Sequence, residues 1–290
     1  MQCIRCGRPI YDTAYGAANL CPECRAAFAG TVQPAPPQTP TRQAPYRPPV
    51  TSAILGLNVL VFAAMVFSGV SASEPRDMQL LKWGADFGPL TLGGQFWRTL
   101  ASTYVHIGYA HLAVNMWSLW QIGRLTERIF GRWTYALVYT ATGIAASLTS
   151  LFWNPMRISA GASGSLFGIV GALIAALWLG RLPFPRPAVQ RMLKNLVVVV
   201  IVNLGFGAAV GFVDNPAHIG GLLAGLAIGA VLAQSLNEPP PQRLAQRRLV
   251  FVAVALCLGS LGAYVKQHSG WAVERYRQRQ QSPKADDSTI

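Results

Sequence analysis

Seven stretches of the chain carry no charged residue and are mostly apolar: 50–73, 99–123, 133–156, 158–180, 195–213, 215–237 and 249–265. At 1.5 Å per residue each is long enough, or nearly so, to cross a hydrocarbon layer of about 30 Å. The pattern predicts seven membrane helices, the seventh resting on the shortest run. The connection between the first two, about residues 74–107, is long and holds Trp83, Phe87, Phe96, Trp97 and Tyr104. Such aromatics favour a membrane–water interface. The loop is expected to lie against or partly in the outer leaflet, a small folded outer loop being the alternative.

Ahead of the first run the pattern changes twice. Residues 1–30 hold Cys3-Ile4-Arg5-Cys6 and Cys21-Pro22-Glu23-Cys24, two C-x-x-C pairs that suit tetrahedral zinc ligation by thiolates, with a short hairpin between them. Two disulfides are the alternative, and they would need an oxidising compartment. All four positions are cysteine, so the expected site is structural, and the metal would supply the folding energy that so small a segment lacks. Residues 31–50 carry seven prolines and read as an extended linker. No signal peptide is expected, since the N-terminus is polar. The organisation is therefore a four-cysteine zinc-ribbon-like module over 1–30, a linker over 31–50, a six-helix core over 51–237, and a loop, seventh helix and polar tail over 238–290.

Composition agrees with a membrane chain: 52% of residues are hydrophobic and 12% charged, against about 25% charged in soluble domains. The net charge of +13 would suggest nucleic acid for a soluble protein, but the basic residues sit in loops, where they set orientation, and no nucleic-acid partner is expected. Arg42, Arg47, Arg124, Arg128, Arg132, Arg181, Arg186, Arg191, Lys194, Arg243, Arg247 and Arg248 flank the runs on the N-terminal side. Arg76, Lys82, Arg98 and Arg157 lie on the other. The N-terminus is thus expected in the cytoplasm. The basic tail after the seventh run would then lie outside, against the rule.

With that orientation the second, fourth and sixth runs begin at the outer face, and each carries polar residues near its start. These are His111 and Asn115, spaced to share one helical face, then Ser163, then His218. Polar groups at membrane depth are costly and usually face the bundle interior or a water-filled cavity. His218, Gly221, Gly225 and Gly229 share a face, and the fourth run offers Gly161, Gly164, Gly168 and Gly171. Close packing of the two would bring the imidazole to the Ser163 hydroxyl, which a histidine must reach to activate a serine. Taken alone, the serine and glycines read more readily as helix contacts than as chemistry. The soluble G-x-S-x-G elbow is absent, because position 165 is serine. Asp214 either orients the histidine or sits in the short loop before it. A two-residue Ser-His arrangement is the reading. Cys257 reads as a small buried apolar residue.

Gly161-Ala162-Ser163-Gly164, Ala217-His218 with Gly221 and Gly225, His111-x-x-x-Asn115 and Trp97-Arg98 together resemble the motifs of the rhomboid family of intramembrane serine proteases, over about residues 50–235. The resemblance implies an all-α polytopic membrane protein, a rhomboid-like six-helix bundle here extended by a seventh helix and preceded by a zinc ribbon. It implies Ser163 as nucleophile and His218 as general base and acid. Asn115, His111 and the Ser163 N–H would stabilise the oxyanion. His106 resembles a histidine near the site in some members or is an interfacial loop residue; Trp97 and Arg98 look structural. Expected partners are single-span transmembrane substrates, the lipid bilayer and an unidentified partner of the zinc module. Catalysis would need no cofactor. The expected location is a bacterial inner membrane, with the site open to the outer side. The competing readings are an inactive rhomboid-like protein that binds membrane clients and, further off, a transporter using the same polar residues as a path.

Overall fold

In a computed structural model the chain is described over residues 2–10, 20–29, 46–180, 182–236 and 238–281. It forms two compact units, Met1–Tyr46 and Arg47–Ile290. In the first, a turn follows Cys3, with Gly7 N–H bonded to Cys3 O at 2.9 Å, and Gln2 pairs with Pro9. Cys21 leads into helix α1 (Pro22–Ala29). The second C-x-x-C pair thus opens a helix. The predicted hairpin falls largely on residues 11–19 and most of the proline linker on 30–45, outside the described residues.

The second unit is helical: α2 (Pro49–Phe67), α3 (Asp77–Lys82), α4 (Gly88–Thr91), α5 (Arg98–Ala101), α6 (Tyr109–Ser118), α7 (Arg124–Phe130), α8 (Arg132–Trp153), α9 (Ser163–Leu179), α10 (Arg186–Val210), α11 (Asn215–Ser235), α12 (Pro240–Ser269) and α13 (Trp271–Gln281). A π-helical turn, Leu119–Gly123, joins α6 to α7. Among the described residues five helices are long and apolar enough to cross a bilayer, α2, α8, α10, α11 and α12, and α9 is a shorter apolar helix. The chain is an all-α, multi-pass integral membrane protein.

Two predicted starts move later, while those of the fifth and seventh helices move earlier, to Arg186 and Pro240. The second helix begins at Tyr109, after Gly108 at φ +84°, so 99–107 belongs to the preceding loop. The fourth begins at Ser163, because 154–162 is not helical. Apolar composition marks depth but not helix ends, and irregular backbone is tolerated at membrane depth where protein buries it. The linker also ends early, since Pro49 is already the first residue of α2, where proline's missing N–H costs nothing. The buried Glu127 carboxylate of α7 accepts the Val50 N–H at 3.1 Å, the Thr51 N–H at 2.8 Å and the Thr51 hydroxyl at 2.7 Å. It satisfies donors that a helix N-terminus leaves open and complements its dipole.

α9 is the central helix, packed by α8 and α11 and buried along most of its length. Its seam with α11 is made of backbone. A Cβ at Gly221 would strike the Gly164 carbonyl, one at Gly225 the Gly168 carbonyl, and one at Gly229 would lie 2.5 Å from Ala172 Cα. Without a hydrophobic force between helices in lipid, such close approach is what holds them. By contrast α10 is held loosely: Gly207 is its one buried residue.

The loop after α2 folds around Met65, Val70, Leu80, Leu81, Ala85, Phe87 and Val105. Arg98, 6% exposed, holds it together by donating to the carbonyls of Leu81 (2.7 Å) and Ala85 (2.9 Å), while Trp97 is exposed. α13 packs on α4 of this loop, with Tyr276 edge-on to Phe87 at 5.6 Å. α12 therefore ends on the loop's side of the molecule, opposite the N-terminus of α2. Cys257 is exposed rather than buried, because α12 meets α8 and α11 with another of its faces.

Candidate active site

Three elements bring the polar residues together. Ser163 is the first residue of α9, His218 lies in the first turn of α11, and His111 and Asn115 lie on α6. The Ser163 hydroxyl is 2.9 Å from His218 Nε2. The imidazole stacks on Phe167, ring centroids 4.2 Å apart and planes within 10°. His218 Nδ1 is buried and has no hydrogen-bond partner among the described residues. The serine and histidine thus form a pair without a carboxylate on the far ring nitrogen. Phe167 is a site residue that the sequence reading missed. Its signal was position alone, four residues after Ser163 and so on the same face.

Gly161 shapes the approach to the serine. Its φ is +127°, which an L side chain rarely adopts. A Cβ there would also lie 2.5 Å from His111 Cε1, so the bare glycine lets the imidazole sit against the chain. Asn115 is buried, its amide donating to His111 O at 2.9 Å. His106 is fully buried, with Nδ1 3.3 Å from Tyr104 O and its ring 5.3 Å from that of His111. It stands behind His111. As the first residue of α9, Ser163 also sits where backbone N–H groups lack partners within the helix and the dipole favours negative charge.

Ser163, His218, His111 and Asn115 line a cavity of about 660 Å³. Its other wall is α10, through Val199 and Asn203. The segment 154–162 closes one end, pinned by the Ser159–Asp86 backbone pair (2.8 and 2.9 Å) and by Gly161 N–H to Ser102 O at 2.9 Å. Such a cavity offers a nucleophile, a base within reach and donors for a developing oxyanion, the set that acyl transfer needs.

In the first unit the sulfur atoms of Cys3, Cys6, Cys21 and Cys24 all lie within 4.8 Å of one another. Tetrahedral Zn–S bonds of about 2.3 Å would set sulfurs roughly 3.8 Å apart, so the four residues can hold a metal ion. Cys6 and Cys21 Sγ are 3.6 Å apart, well beyond a disulfide bond. The Cys21 N–H donates to Cys3 Sγ at 3.2 Å and holds the Cys3 thiol down to about 6. Hydrogen bonding with the sulfurs of Cys6 and Cys21 pushes Cys24 up to about 12.

Comparison with known proteins agrees with the bundle and its polar layer. A rhomboid domain matches residues 93–235. Rhomboid protease GluP of Bacillus subtilis (strain 168) is 37% identical over 224 residues, covering 77% of this chain and 41% of the relative. RHOMBOID-like protein 4 of Arabidopsis thaliana is 37% identical over 149 residues, 51% of this chain and 37% of the relative. The chain thus spans well under half the length of these two. Rhomboid protease AarA of Providencia stuartii is 31% identical over 244 residues, 76% of this chain and 83% of the relative. Likeness over most of AarA and the match over the helices that carry Ser163 and His218 together establish that the chain belongs to the rhomboid family.

Proposed function

We propose that the chain is an intramembrane serine endopeptidase that cuts transmembrane proteins in or near the bilayer. The observation that carries this is the 2.9 Å approach of the Ser163 hydroxyl to His218 Nε2 on the wall of a cavity between membrane helices. Ser163 Oγ attacks the scissile carbonyl while His218 Nε2 takes its proton. The tetrahedral oxyanion is held by the Ser163 N–H with Asn115 and His111. The C–N bond then breaks, and the imidazolium returns its proton to the leaving amine. Water, deprotonated by the same imidazole, hydrolyses the acyl-serine. An α-helix hides its carbonyls, so a substrate must unwind locally to enter; single-span proteins meet this most simply.

The cluster Cys3, Cys6, Cys21 and Cys24 is proposed to hold one structural zinc, in a module with a partner of its own. Loop charges favour a cytoplasmic N-terminus in a bacterial plasma membrane and a site open to the opposite face.

The test is cleavage of a model single-span substrate by the purified full chain in detergent. Ser163→Ala and His218→Ala are expected to abolish it, and Asn115→Ala to slow it by about 10²–10³-fold, the scale of one lost oxyanion donor. Cleavage that survives Ser163→Ala would refute the proposal.

A further inference from the structure

The mechanism leaves Asp214 unused, yet its carboxylate is the most heavily bonded polar group beside the dyad. Asp214 is the N-cap of α11. Its Oδ1 accepts the Ala217 N–H at 3.1 Å, and its own carbonyl accepts the His218 N–H at 3.1 Å. Its Oδ2 accepts two hydroxyls from elsewhere, Ser159 at 2.5 Å and Ser150 at 2.6 Å. Ser150 lies near the end of α8, and Ser159 stands in the irregular segment four residues ahead of Ser163. Hydroxyl-to-carboxylate bonds of this length are the strong, charge-assisted kind.

That segment has other anchors, but they lead elsewhere. The Ser159 backbone pairs with Asp86, and Gly161 N–H bonds Ser102 O, both in the loop after α2. Arg157 donates to Phe212 O at 2.5 Å, across an exposed pair of groups. Asp214 alone among these joins the segment delivering the serine to the helix delivering the histidine through a side chain with three accepted bonds. It does so without touching the imidazole, whose Nδ1 has no partner among the described residues. The ring's place therefore follows from the α11 backbone and from Phe167.

We propose that Asp214 is a positioning residue for the dyad, its carboxylate tying Ser159 and Ser150 to the first turn of α11 and thereby fixing the Ser163–His218 approach. The proposal rests on the catalytic reading of Ser163 and His218. A reacting pair displaced by about 1 Å loses on the order of 10²-fold in rate. Ser159 and Asp214 also line the cavity, but the tie sets the placement of the reacting atoms, so the loss falls on kcat and not on KM.

The experiment measures three things on the full chain in detergent: the rate at which a fluorophosphonate labels Ser163, kcat and KM on the model substrate, and the thermal midpoint. Asp214→Ala is expected to slow labelling and kcat by about 10²-fold with KM unchanged. Asp214→Asn, which keeps an acceptor for the Ala217 N–H and an amide that can bond both hydroxyls, is expected to recover most of the rate. The pair Ser150→Ala with Ser159→Ala keeps the charge and removes the tie, and is expected to match Asp214→Ala. Labelling of Asp214→Ala at the parental rate overturns the proposal. So does a parental rate in the serine pair beside a slow Asp214→Ala, which would assign the effect to charge. Should Asp214→Ala fail to fold, the serine pair and Asp214→Asn decide. A parent that does not label at Ser163 sinks the catalytic reading, and this proposal with it; a parent that labels keeps the two failures apart.

Discussion

Asp86 is a carboxyl group with no exposed surface. It accepts the hydroxyls of Thr91 and Ser147. Burial is the main cause that pushes its pKa up to about 6; the negative charge of Asp214 adds to this, and the two hydroxyls oppose it. An unfolded aspartate titrates near 3.9, so between about pH 4 and pH 6 the folded chain binds the extra proton. The stability this brings is fully present below about pH 4 and is lost as pH rises through about 6, at most about 3 kcal/mol in all. Asp86→Asn carries no such term. The thermal midpoint of the parent is therefore expected to fall relative to that of Asp86→Asn between pH 4 and pH 7, and parallel pH curves would count against it. Residues of this kind were hard to see in the sequence. Ser163 and His218 stand out because polar groups are rare in apolar runs. Phe167 does not, because an aromatic in an apolar helix looks the same whether it faces lipid or the His218 ring. Asp86 and Asp214 sit in loops, where no periodicity tells a buried carboxylate from a solvated one. Cys257 was misplaced because hydropathy cannot tell a lipid-facing position from a protein-facing one.

Between elements, the α9–α11 seam was visible as two glycine stripes at helical spacing, since only small residues let helices approach so closely. Where α6 and α9 begin was not visible, because the residues before each, 99–108 and 158–162, carry no charge and continue the apolar runs. The seam makes a sharp prediction. Gly225→Ala places a methyl group on the Gly168 carbonyl, and overpacking of this kind costs typically about 1–3 kcal/mol. The midpoint should drop, and Ser163 labelling should slow as the helices part. Gly205→Ala on α10 meets nothing within 4 Å and replaces a poor helix former with the best, so its midpoint should hold or rise. Equal behaviour of the two variants would mean that the seam is not set by contact.

At the scale of the whole chain, hydropathy located the long apolar helices, and the four spaced cysteines fall in the first compact unit. The tail remained a contradiction, because its arginines violated the charge rule. The structure turns Trp271–Gln281 into a helix seated on the loop after α2, which gives those residues a docked role that no count of loop charges contains. The first unit has its own test: metal analysis of the chain prepared under reducing, zinc-replete conditions should find one zinc per chain, falling towards zero in Cys6→Ser. A ratio near zero in the parent would remove the metal assignment. The α9–α11 seam, finally, bears on motion. Glycine and alanine have no side-chain rotamers to freeze, so a joint built from Gly164, Gly168, Ala172, Gly221, Gly225 and Gly229 has almost no side-chain entropy to recover by loosening. Ser163 and His218 are carried on one close-packed pair of helices, while α10, with Gly207 as its one buried residue, is a cavity wall that packing restrains little.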